Sequence, residues 1–186
     1  MASTAINVVL CDLPGIVTNR DEIKGALARL FSQVIEKHKL DVSIAVTFTE
    51  EAPVARGKDL VCYFVRHYTD SIVAGGFIRD ARPDKDDGGL TLFKSDKTVA
   101  SEVYHQKVQK SDDAARLVLH ELMHNMSLVG QQMHQPGMAI GATKVMQGAS
   151  LSPADMKWIA THLARTTRTQ WLGGHSMYGD PLRGAL

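Results

Sequence analysis

The order of the apolar runs in the first 65 residues constrains the fold more than any other feature. INVVLC, residues 6–11, is a β-branched run. From about Asp21 to His38 the apolar residues Ile23, Ala26, Leu27, Leu30, Phe31, Val34 and Ile35 recur at helical spacing. DVSIAVTFT at 41–49 and LVCYFV at 60–65 supply two more strands. Strand, helix and strand in that order predict a βαβ crossover with parallel strands. A chain of 186 residues has room for one domain with a real core and not for a second large one.

Further along, DARPDKDDGG is rich in Asp, Pro and Gly and reads as a loop, and GLTLFK and TVASEVYH read as two more strands, one of them an edge strand. Ser111 offers an N-cap, with Asp112 and Asp113 in the first turn, before the periodic run ARLVLHELMHNM. A Gly- and Met-rich segment, GQQMHQPGMAIGATKVMQGA, follows as loop. In LSPADMKWIATHLART, Ser152 stands as N-cap, Pro153 at the first helical position and Asp155 at the capping-box position, which marks a helix start. The tail from about Thr169 is short and Gly-rich, with no assigned element. The expected class is therefore α/β (α+β), a mixed twisted sheet of about five strands with two helices beyond the crossover helix.

Lys plus Arg total 21 against 20 for Asp plus Glu, and no basic block stands out, which argues against a nucleic-acid partner. No apolar run approaches the 18 or so residues of a membrane span. The opening MASTAINVVLCDL lacks the pattern of a signal peptide, so the expectation is a cytoplasmic protein with no membrane partner. Cys11 and Cys62, the two cysteines, each lie in an apolar run and read as buried free thiols. His67 and the pair Tyr104-His105 fall at strand ends and read as solvated termini. Nothing in the sequence indicates an oligomeric state.

The chemistry lies in HELMH, His120 to His124. Residues four apart share a helix face, so His120 and His124 can offer two imidazoles to one ion while Glu121 serves as the base. The expected cofactor is one catalytic zinc ion, which lowers the pKa of its water to about 7, and Glu121 takes the proton. Catalytic zinc usually has three protein ligands and one open position. No Glu follows Glu121, which excludes a downstream glutamate ligand; His134, Asp155, His162, His175, Asp180 and Tyr178 are the remaining candidates.

HELMHNMSL followed by VMQGASLSPADMKWI resembles the metzincin metalloproteases, in which HExxHxxGxxH precedes a methionine-containing turn and a C-terminal helix. The resemblance covers about Arg116 to Ile159 at residue level and is architectural elsewhere. It implies one catalytic domain over 1–186: a sheet and active-site helix to about residue 130, then a C-terminal subdomain from about 131 with the turn and last helix. It implies Met146 as the Met-turn residue, lying beneath the metal without binding it. Ser127 stands where the family has its glycine and Gly130 where it has its third histidine, so neither can play the family role.

His134 is the favoured third ligand. A helix continuing through His134 would carry it about 15 Å along the axis from His124, so this assignment requires a helix break near Gly130. HSMYGD is the rival, with His175 or Tyr178 supplying a ligand or a contact to substrate or transition state. Asp155 is better explained by its helix cap, and His162 by packing on the last helix.

The resemblance further implies an extended peptide or protein substrate along the edge strand near Gly89 to Phe93, a specificity pocket helped by about Gln147 to Leu151, and hydrolysis of an amide bond by Glu-assisted attack of zinc-bound water. No prodomain or candidate cysteine switch is visible, which favours a narrow substrate range. Two alternatives stand beside this: a zinc hydrolase acting on a non-peptide small molecule, and a metal-stabilised binding module without turnover.

Overall fold

In a computed structural model the chain is described over residues 4–51, 59–70, 87–93, 99–127 and 150–163. These residues form a mixed α/β fold with a five-stranded mixed sheet. The elements are β1 (Thr4–Cys11), α1 (Arg20–His38), β2 (Val42–Thr49), β3 (Leu60–Val65), β4 (Gly89–Phe93), β5 (Val99–Tyr104), α2 (Ser111–Ser127) and α3 (Pro153–Leu163). The strand order is β2-β1-β3-β5-β4. All neighbours pair in parallel except β4 and β5, which are antiparallel, with Thr91 opposite Ser101.

Strand composition accounts for these places. β3 reads LVCYFV without a polar residue, and all six residues are buried, as a parallel strand covered on both faces requires. β1 alternates: Ile6, Val8 and Leu10 enter the core while Asn7 is exposed and donates to Asp59 at 2.9 Å. α1 buries Ile23, Ala26, Leu27, Leu30, Phe31 and Val34 of the stripe expected from its spacing, leaves Ile35 half-buried, and ends with Lys39 in the left-handed region at φ 50°. α1 and α2 pack on each other over the sheet, α2 also touches β3, β4 and β5, and α3 rests on both helices.

The DLPG turn between β1 and α1 is built around a buried carboxylate. Asp12 accepts the backbone N–H groups of Ile16 and Val17, both at 3.0 Å, and Arg20 donates to it at 2.7 Å. Arg20 also reaches Glu50 at 2.6 Å, so one guanidinium ties the crossover helix to the ends of β1 and β2. Gly15 sits at φ +63°, where a side chain would be strained. Charge here is satisfied locally, which explains how Asp12 can be fully buried.

Two local expectations need correction. Ser111 is the first residue of α2 and not its N-cap: Ala114 N–H donates to the Lys110 carbonyl at 2.9 Å, and the Ser111 hydroxyl instead accepts from Asn19 Nδ2 at 2.7 Å. The partner comes from the entry to α1, so a tertiary contact takes the hydroxyl that local sequence assigned to a cap. Tyr104 is not a solvated terminus. It is fully buried and its hydroxyl donates to Glu102 Oε1 at 3.1 Å, the apolar ring inside the sheet region and the polar tip on a carboxylate.

Other readings agree with the structure. Ser152 and Asp155 form a reciprocal capping box: Asp155 N–H donates to Ser152 Oγ at 3.1 Å and Ser152 N–H to Asp155 Oδ2 at 2.7 Å. Both cysteines are buried and free. Cys11 pairs with Tyr63 and Cys62 with Leu10, so on adjacent parallel strands they fall on opposite faces of the sheet, where no disulfide can join them. Among the described residues no helix is long and apolar enough to cross a membrane.

Candidate metal centre

α2 is apolar on most of its circumference, with Ala114, Ala115, Leu117, Val118, Leu119, Leu122, Met123 and Met126 buried. Into that buried helix the sequence inserts His120, Glu121, His124 and Asn125, which are 3, 4, 7 and 4 % exposed. Polar groups so deeply buried must find partners or a charge to hold.

The imidazoles of His120 and His124 meet. Their Nε2 atoms are 3.2 Å apart, and the rings stand at 85° with centroids 4.8 Å apart. Two nitrogens bound to one tetrahedral zinc at the usual bond length stand about 3.3 Å from each other. The separation of the pair therefore matches two corners of such a site, and imidazole nitrogen is a suitable donor for that ion.

Glu121 turns its two oxygens to different neighbours. Oε1 lies 3.9 Å from His120 Nε2, on the imidazole side. Oε2 accepts from the Thr91 hydroxyl on β4 at 2.6 Å. Burial pushes the carboxyl up to about 8; the Thr91 hydrogen bond works against that rise, and the charges of Glu102 and Asp87 add to it. A divalent cation at the imidazole pair would draw it down again.

The surroundings of Glu121 are specific. Ser101 Oγ lies 2.9 Å from Thr91 Oγ1, and Asn125 Nδ2 donates to Ser101 Oγ at 3.1 Å. At Gly89 a Cβ would fall 2.6 Å from the Glu102 carbonyl oxygen, 2.8 Å from Glu121 Oε1 and 2.9 Å from Glu121 Cγ, so only glycine lets β4 come this close to the carboxylate. Sequence reasoning found neither Thr91, Ser101 and Asn125 nor the reason for Gly89. The available signal was small: one aliphatic hydroxyl residue in each of two short strands, Thr91 in GLTLF and Ser101 in VASEVY.

His120, Glu121 and His124 are thus brought together. His134, Met146, His175 and Tyr178, with Gly130, lie outside the described residues, as does most of the Gln147 to Leu151 segment; Leu151 itself is buried in the core. Asp155 is held in its capping box. His162 is buried on α3 with Nδ1 2.7 Å from the Trp158 carbonyl, in keeping with packing. Among the described residues no group of three His, Cys, Asp or Glu side chains forms a metal site. His67 lies in a turn, with Nδ1 accepting the Thr69 N–H at 3.3 Å.

Compared with known proteins, the chain matches no protein-family profile, no curated sequence and no solved structure.

Proposed function

We propose that this chain is a zinc metallopeptidase of metzincin-like type, hydrolysing an amide bond in a peptide or peptide-like substrate of narrow range. The observation that carries the reading is the placement of the His120 and His124 Nε2 atoms 3.2 Å apart on a buried helix face, with Glu121 Oε1 turned toward them. The sheet supports it as well: among the described residues β4 is the edge strand that pairs antiparallel, and it packs against α2.

When bound, zinc supplies Lewis acidity, polarising a carbonyl and acidifying water. His120 and His124 would hold it, with His134 as the third ligand favoured by the sequence and His175 its rival. Glu121 Oε1 receives the proton of the attacking water and returns it to the leaving amine. Among the described residues β4 pairs with β5 on one side only, and its other edge would offer backbone groups to an extended substrate, a β-augmentation mode. Buried apolar side chains around α2 keep bulk water from the base and strengthen its electrostatics.

The test pairs turnover with metal content. The zinc-loaded protein, incubated with a diverse peptide library and followed by mass spectrometry, cleaves a restricted set of peptides. Glu121→Ala retains stoichiometric zinc and loses about 100-fold or more of the rate. Equal cleavage by Glu121→Ala overturns the reading. In the same preparations His134→Ala binds zinc far more weakly; near-stoichiometric zinc at normal affinity transfers the third-ligand role away from His134.

A further inference from the structure

We propose that Thr91 is the positioning residue of the site, its hydroxyl fixing one oxygen of Glu121 so that the other alone faces the imidazole pair. The inference rests on the metal-site reading and assigns a function to a strand residue 30 positions before Glu121.

A glutamate side chain has three rotatable bonds before its carboxylate, so helix position alone does not decide where its oxygens point. Here both ends are constrained. Oε2 takes the Thr91 hydroxyl at 2.6 Å, a short hydrogen bond. The Oε1 side lies over Gly89, where a Cβ would be 2.8 Å from the oxygen, so the backbone of β4 forms the floor against which the carboxylate lies.

Thr91 is itself held. Its Oγ1 is 2.9 Å from Ser101 Oγ, and Ser101 accepts from Asn125 Nδ2 at 3.1 Å. A hydroxyl has one proton and two lone pairs. Asn125 donates to Ser101, and the linked Thr91 and Ser101 hydroxyls form a chain that ends on Glu121, at Oε2 through Thr91 and at the backbone carbonyl oxygen, 3.1 Å from Thr91 Oγ1 and 3.4 Å from Ser101 Oγ. The chain starts one helical turn beyond Glu121, at Asn125, crosses β5 and returns through β4. It makes the alignment of the base depend on β4, the same strand that is offered to substrate.

The experiment uses the cobalt(II)-loaded protein, with acetohydroxamate as probe and the visible spectrum of cobalt as readout. A hydroxamate chelates the ion and shares its proton with an adjacent carboxylate, so its affinity reports where Glu121 Oε1 stands. Thr91→Val and Thr91→Ala are expected to keep the cobalt affinity within about twofold and to weaken acetohydroxamate about tenfold or more, while Thr91→Ser stays within about threefold of the wild type. Two such variants guard against one failing to fold. In the Glu121→Ala background, Thr91→Val is expected to cause no further loss, as coupling through that carboxylate requires. Unchanged acetohydroxamate binding in Thr91→Val or Thr91→Ala, or a full additional loss in the double variant, overturns the positioning role alone. Failure of the wild type to bind cobalt overturns the metal-site reading and this inference with it.

Discussion

Glu121 is a carboxylic acid buried beside two imidazoles, and its burial makes stability depend on pH. Its carboxyl is pushed from the ordinary value of 4.5 to about 8, chiefly by desolvation. Between those values the folded chain holds a proton that the unfolded chain has released, so its contribution to stability is complete below about pH 4.5 and is lost as pH rises toward about 8. With a chelator present, thermal unfolding of the wild type should therefore fall from pH 5 to pH 8 by more than that of Glu121→Gln, which cannot ionise. Parallel pH profiles for the two proteins would show that burial of this carboxyl does not govern the slope. His120 and His124 were legible at this scale because i and i+4 positions always share a helix face. Thr91 was not, since nothing local links residue 91 to residue 121.

At the scale of elements, helix starts carry readable chemistry when the capping partners are close in sequence. The α3 box joins Ser152 and Asp155, three residues apart, and the structure forms both of its hydrogen bonds. Ser152→Ala should cost about 1 kcal/mol, a fall of about 2–4 °C in Tm for a chain of this size. Asp155→Ala should lower Tm further, because the Asp155 side chain is fully buried, while zinc content stays stoichiometric. Loss of zinc in that variant would return Asp155 to the ligand set. Ser111 shows the limit of such reading: its hydroxyl met Asn19, 92 residues away, before it could cap its own helix. The strands were legible for the same local reason as the α3 cap. A β-branched run marked β1 and the apolar run LVCYFV marked β3, whose six residues the structure buries.

For the whole molecule, the two thiols report on global unfolding. Burial, with the Asp12 charge adding to it, pushes Cys11 up to about 12, and burial raises Cys62 well above the usual thiol range, so both stay protonated and unreactive in the folded state. A disulfide reagent at pH 8 should titrate no thiol in the native protein and two in denaturant, at a rate that tracks unfolding. One fast-reacting thiol in the native protein would mean that β1 or β3 opens locally. The class of fold, the parallel crossover and the donor types on α2 were all readable from residue order, because hydrophobic period and motif spacing act over a few residues. The alignment of Glu121 was not readable. It arises from an antiparallel register that sets Thr91 opposite Ser101 and from a helix laid across both strands. Those contacts join residues 24 and 30 positions apart, and such pairings are chosen by packing of the whole core and leave no periodic trace in the chain.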